Sequence, residues 1–225
     1  MKSLLLALLS LTSFYAHSQD CAHYLFLQKN KTIEMTIYNK KGEVSAKQVY
    51  QVSDVSSGGG VTKGSLSTEM FDKNGKSMAK ASSTVQCNGG VMMVSMKMML
   101  PQQQTEQIKM EAKAETDNMF LEYPGKLSVG DALKDGNMTM EMNTSGIPSK
   151  TTIVISDRKV EGQESVTTPA GTWDCYKITY KGKMTTKMGP IPINTNLDGT
   201  EWFVPGFGIV KTESKHGSTV ITSIK

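Results

Sequence analysis

The sequence predicts an all-β fold, a single antiparallel meander sheet curled into an open half-barrel. Three observations predict it. Short stretches in which apolar and polar residues alternate recur along nearly the whole chain. Clusters of Gly, Pro, Asn and Asp separate them, as turn chemistry requires. Helical periodicity is almost absent, and the 225 residues are an ordinary length for one β domain.

The chain opens on a leader. Lys2 supplies a positive charge, and Leu4–Leu11 with Phe14 supplies an apolar run of signal-peptide length. Ala16-His17-Ser18 places small residues where a signal peptidase cuts. The expected organisation is therefore a cleavable signal peptide over 1–18 and one β domain over 19–225. Asp20 stands where a lipid-attachment motif before Cys21 needs a small residue, so Cys21 reads as unacylated. The apolar run is too short to span a bilayer, and no later segment could. The chain thus reads as exported, periplasmic or extracellular, and not as an integral membrane protein.

The elements follow in order. Tyr24–Leu27 is an apolar cluster in the lead-in, and Thr32–Tyr38 alternates as a strand. Asn39-Lys40-Lys41-Gly42 is a hairpin turn, with Gly42 at the left-handed position and Glu43–Ser56 returning. FDKNGK at 71–76 repeats the device of YNKKGE at 38–43. Ser57–Gly60 reads as a link, and Asn88-Gly89-Gly90 starts the return Val91–Leu100. Gln107–Glu115 alternates as a strand, with helix as the alternative, because alanine, glutamate and lysine favour one. Asn118–Tyr123 is a short extension ended by Pro124-Gly125, and Leu127–Gly136 is a loop with buried leucines. Strands are expected over Asn137–Asn143, Thr151–Asp157, Val160–Thr168, Thr172–Tyr180, Lys183–Met188, Ile193–Leu197, Thr200–Val204, Gly208–Ser214 and Ser218–Ile224.

Two stretches organise the second half. VTTPAGTWDCYKITY at 166–180 joins a Pro-Ala-Gly turn to a β-branched and aromatic strand. EWFVPGFGIVKTE at 201–213 is a strand broken by Pro205-Gly206 and resumed, the mark of a bend or bulge. Trp173 and Trp202 read as aromatic anchors, with a ligand platform as the alternative. Extended to 158–178 and 201–213, and continued through LEYPGKLSVGDALKDG at 121–136, these motifs resemble a family of exported Gram-negative proteins of unknown function, often called TapB-like. The resemblance implies an antiparallel half-barrel, loosely similar to bacterial lipoprotein-carrier folds. It transfers no catalytic residue.

Charge and cysteines narrow the function classes. The formal charge is +4, and Arg158 is the only arginine among 25 basic residues. A nucleic-acid reader normally carries clustered arginines, so no nucleic-acid partner is expected. Arg158, between Asp157 and Lys159, reads as an ion-pair anchor at a strand bend. Of the three cysteines, one pair can bridge in an oxidising compartment. In an up-and-down meander Cys21 and Cys87 fall at the same end, which favours that bridge and leaves Cys175 free beside Trp173. Their spacing matches no zinc or redox pattern, and no cofactor is expected. Without the leader only His23 and His216 remain, and no nucleophile elbow or zinc-protease motif occurs. An enzyme is not expected, and no metal site is assigned. Asp72-x-Asn74-Gly75 lacks the further ligands of a calcium loop.

The 16 methionines are the compositional oddity. Met92, Val94, Met96, Met98 and Leu100 would line one strand face, and Met138, Met140 and Met142 another. Thioethers suit copper(I), but alternation is also what a half-buried core strand must show. A third reading is an apolar groove whose flexible methionines reshape around a ligand. The functional expectation is an exported, non-enzymatic binding module. Met92, Met96, Met138, Met140 and Met142 would face the concave side and contact an apolar, lipid-like ligand or a partner segment. The alternative is a structural or interaction protein that acts through strand edges without a small ligand.

Overall fold

The first and last strands of the chain lie side by side, and the rest of the sheet grows outward from them. A computed structural model describes residues 21–99, 119–144, 147–189 and 191–225. The leader expected over 1–18 and the strand expected over 107–115 lie outside the described residues. The strands are β1 (Thr32–Asn39), β2 (Val44–Gly58), β3 (Val61–Asp72), β4 (Ser77–Asn88), β5 (Val91–Ser95), β6 (Phe120–Tyr123) and β7 (Gly136–Thr144). They continue as β8 (Ile147–Thr168), β9 (Gly171–Met188), β10 (Ile191–Asn196), β11 (Gly199–Val204), β12 (Gly208–Ser214) and β13 (Gly217–Ile224). Helix is confined, among the described residues, to three-ten turns at Cys21–His23, Leu25–Leu27 and Met96–Met99.

All described strands belong to one antiparallel sheet in the order β6-β5-β4-β3-β2-β1-β13-β12-β11-β9-β8-β7, with β10 paired to β9 beside this path. Each half is a meander, and β1 joins them by pairing with β13. The expected all-β meander is therefore present, curled further than a half-barrel into a nearly closed one. The seam lies between β6 and β7, which approach without pairing. A Cβ on Gly136 would stand 2.5 Å from Leu121 Cδ2 and 2.8 Å from Met96 Sδ, so a larger residue there would have to displace both side chains at the seam.

The turns follow their residues. Asn39 Oδ1 accepts from the amides of Lys41 and Glu43, and Asp72 Oδ1 accepts from those of Asn74 and Lys76. The segment expected to link two hairpins is itself a hairpin turn. Gly58 pairs with Val61, and Gly59-Gly60 take φ of 59° and 82°, which two-residue turns between right-twisted strands demand. Three further boundaries moved, and at one of them the segments expected as separate strands over 172–180 and 183–188 are one strand, β9. The strand expected over 91–100 stops at Ser95 and becomes a three-ten turn. The segments expected as separate strands over 151–157 and 160–168 are one strand, β8, with a bulge at Asp157-Arg158, where Asp157 takes φ of 52°. A bulge preserves pairing on both sides, which a sequence break does not reveal.

The interior is one apolar cluster. Tyr24, Leu25, Phe26 and Leu27 are buried against the sheet and plug its first half. Leu25 N donates to Phe207 O at 2.9 Å, and Tyr24 Oη donates to Gly90 O at 2.9 Å. A disulfide joins Cys21 to Cys87, tying this plug to β4, as the meander polarity favours. Cys175 is the free cysteine and is buried. Leu127 and Leu133 are buried in the loop before β7.

Candidate functional site

The register of β7–β10 defines an apolar face. Directly paired residues of antiparallel neighbours lie on the same side of a sheet. Met138 pairs with Ile153, Ile153 with Met184, and Met184 with Thr195. Two residues along, Met140 pairs with Thr151, Thr151 with Thr186, and Thr186 with Ile193. Farthest out, Met142 pairs with Ser149, Ser149 with Met188, and Met188 with Ile191. Between these rows the opposite face carries Thr139, Thr152, Thr185, Lys150 and Lys187.

Along this face burial changes continuously. Met138, Met140, Ile153 and Thr151 are buried, and Met184 and Thr186 are half-buried. Met188, Ile191 and Ile193 are exposed. The side that begins as core at Met138 therefore ends as an open apolar surface. Its polar residues are Ser149, Thr195 and a threonine pair, Thr151 Oγ1 and Thr186 Oγ1, 3.1 Å apart.

The other expected contact residues fall in two places. Met92 on β5 and Met96 in its three-ten turn are fully buried and join the same cluster as Met138 and Met140. Met142 lies in register on β7 opposite Ser149. The tryptophans belong to or pack against the same core cluster but make contacts of their own. Trp173 packs on Phe207 with ring centroids 5.4 Å apart. Trp202 alternates to the side of β11 opposite Glu201 and Phe203. There Lys211 Nζ sits 4.2 Å from its ring centroid, and its indole N–H donates to Glu164. Lysine stems roof this ring, which reads as an anchor rather than a platform.

Sequence reasoning missed a buried polar cluster beside this face. Arg158, 1% exposed, leaves the β8 bulge and points inward, while its neighbours make the surface ion pairs Asp157–Lys181 and Lys159–Glu161. The ion-pair role expected of Arg158 thus belongs to the residues on either side. Its Nη1 donates to Glu122 O at 3.0 Å and to Lys134 O at 2.9 Å. One guanidinium therefore bridges β6 and the segment entering β7 across the unpaired seam. It lies 4.6 Å from the Tyr123 ring centroid, and its Nε and Nη2 have no protein acceptor among the described residues.

Tyr123 in turn donates to Glu201 Oε2 at 2.7 Å. Burial raises the Glu201 carboxyl above its ordinary value, with Arg158 and the Tyr123 hydroxyl opposing that rise. Burial, and then the Glu201 charge, push the phenols of Tyr123 and Tyr180 upward. This cluster balances one buried cation against one buried carboxyl and pins the seam. The signal for it was a lone arginine on the core side of a strand, visible only once the bulge is known.

Comparisons with known proteins agree with this architecture. The chain resembles a protein from Parabacteroides distasonis ATCC 8503, described provisionally as a lipoprotein. They share 22% identity and a TM-score of 0.72, over 92% of this chain and 100% of that one. It also resembles a protein from Bacteroides fragilis NCTC 9343, described provisionally as exported and of YmcC-like fold. Here identity is 22% and the TM-score 0.67, over 88% of this chain and 96% of that one. At these identities the likeness establishes the fold alone. No curated protein matches at a significant level. Residues 28–225 match the DUF3108-like family, and the chain belongs to it.

Proposed function

We propose that this chain is an exported, non-enzymatic binding module that holds an apolar, lipid-like ligand on the inner face of β7–β9. The observation that carries the reading is the methionine- and isoleucine-rich face that runs from buried Met138 and Met140 to the open surface beyond Met184. Leucine would pack a fixed core with better-defined rotamers, whereas methionine suits a surface that reshapes around its contents. Met138, Met140 and Met184 contact the ligand in this reading, with Met142 next in register on β7 and with Met92 and Met96 behind them. The Thr151–Thr186 pair offers one polar anchor for an amphiphile's head.

The same proposal includes a leader over 1–18, a mature domain over 19–225, and a periplasmic or extracellular site of action. The descriptions of the two similar bacterial structures support export. The TapB-like resemblance of 158–178 and 201–213 is a narrower placement of the same kind.

One observation favours a second reading. Met138 and Met140 are almost fully buried, as residues of a sealed core would be. A structural or interaction protein without a small ligand would then act through its strand edges. Mass spectrometry of organic extracts from natively purified protein separates the two. A stoichiometric lipid-class species supports the binding module, and extracts free of one support the second reading.

A further inference from the structure

The outer end of the β8–β9–β10 sheet has a composition unlike the rest of the surface. Met188, Ile191 and Ile193 are 55%, 71% and 58% exposed, three of the seven large hydrophobics exposed among the described residues. Register places all three on one face, since Met188 pairs with Ile191 and Thr186 with Ile193. Scattered single hydrophobics need no explanation, but a contiguous set on one face does.

Charge is equally one-sided. Residues 147–156 and 181–196 contain Lys150, Lys181, Lys183 and Lys187 and no acidic residue. Lys150 meets Glu141 at 3.3 Å, and Lys181 meets Asp157 at 3.4 Å. Lys183 and Lys187 are exposed, with no carboxylate in ion-pair range among the described residues. Lys183 and Lys187 alternate to the face opposite the rim, so an end-on approach of β9 and β10 presents both to one surface: long lysine stems reach phosphates while the rim enters the acyl boundary.

We infer that this end, with Met188, Ile191 and Ile193 as the inserted rim and Lys183 and Lys187 as the charge contacts, docks on an anionic lipid surface. Charge complementarity selects the occupant. A layer of phosphate headgroups over hydrocarbon matches cations beside an apolar strip without requiring a shaped partner. A strand-adding partner fits less well. The free edge belongs to β10, and Pro192 near its start has no N–H to give an added strand. The inference uses the open end of the face proposed above, but docking does not require a ligand held farther in.

Co-sedimentation with sucrose-loaded vesicles tests it. The purified protein should bind vesicles of phosphatidylglycerol and phosphatidylcholine, bind pure phosphatidylcholine poorly, and lose binding as salt rises. The double variants Ile191→Ser/Ile193→Ser and Lys183→Gln/Lys187→Gln should each weaken binding by about tenfold. Neither should change the thermal midpoint, and Lys183→Gln/Lys187→Gln, on the opposite face, should leave binding of a monomeric fluorescent fatty-acid probe unchanged. Failure to bind anionic vesicles overturns the inference, as does binding that both variants leave intact. Self-association lost in the isoleucine variant, without vesicle binding, would assign the face to a second copy instead. If probe binding fails while vesicle docking holds, the inner-face ligand is lost and the docking surface stands.

Discussion

Tyr123 on β6 and Glu201 on β11 are joined by a 2.7 Å hydrogen bond across the barrel interior, although most of the sheet's strands lie between them along its hydrogen-bonded path. The bond forms only because the sheet curls until its edge faces its opposite wall. Arg158 stacks on the same tyrosine and holds the two carbonyls that flank the seam.

Arg158→Met should therefore destabilise the fold by about 3–5 kcal/mol, because it leaves two carbonyls unpaired and Glu201 without its compensating cation. Arg158→Lys keeps the charge but loses the fork that spans both carbonyls, and should recover only part of this. Denaturant unfolding of the three proteins measures the difference. A loss under about 1 kcal/mol for the methionine variant would mean that the seam does not depend on this residue.

The pH dependence follows from Glu201. Its folded pKa lies above the unfolded value of 4.5, because burial disfavours the charged form. The folded state therefore binds the proton more tightly, and this contribution is complete below 4.5. It is lost as pH rises through the folded pKa. Glu201→Gln should remove that segment of the stability profile, so the two proteins should diverge with pH above the ordinary carboxylate range. Parallel profiles from thermal melts across that range would contradict the assignment.

The cysteines should differ in reactivity. Burial, with Asp174 and Glu164 adding to it, pushes the Cys175 thiol up to about 11. It should resist alkylation in the native protein at neutral pH and react on unfolding. Cys21–Cys87 closes a separation of 66 residues, so Cys21→Ser/Cys87→Ser should cost about 2–4 kcal/mol. Peptide mapping that recovers Cys175 in a bridge would overturn both statements.

Gly64 tests the plug. A Cβ there would collide with the Phe26 carbonyl oxygen and stand 3.0 Å from Leu27 Cδ2, both in the N-terminal plug. Gly64→Ala should cost about 1–3 kcal/mol through overpacking. Gly162 is the control, because a Cβ there would meet nothing within 4 Å, and Gly162→Ala should be near neutral. Equal effects at the two positions would indicate that the plug does not press on β3.

Alternation and turn chemistry made the fold class legible, since Asn39, Asp72 and Gly89-Gly90 each end a strand where the structure ends it. Bulges were illegible. Asp157-Arg158 looked like a break because a local pattern cannot say whether pairing resumes on the same partner. The same limit hid the candidate site. Met138 and Met140 were visible as one strand's face, but Met184, Met188, Ile191 and Ile193 join it only through register. The Tyr123–Arg158–Glu201 cluster needed closure of the barrel, which no local stretch encodes.

The most direct test of the ligand proposal is fluorescence titration with a monomeric apolar probe, on the parent protein and on Met184→Glu. Met184 is half-buried on the ligand-facing row, so a charge there should be tolerated by the fold and not by an apolar ligand. The account predicts saturable one-to-one binding by the parent, lost in the variant at an unchanged thermal midpoint. No saturable binding by the parent after delipidation, or equal binding by both proteins, would contradict it.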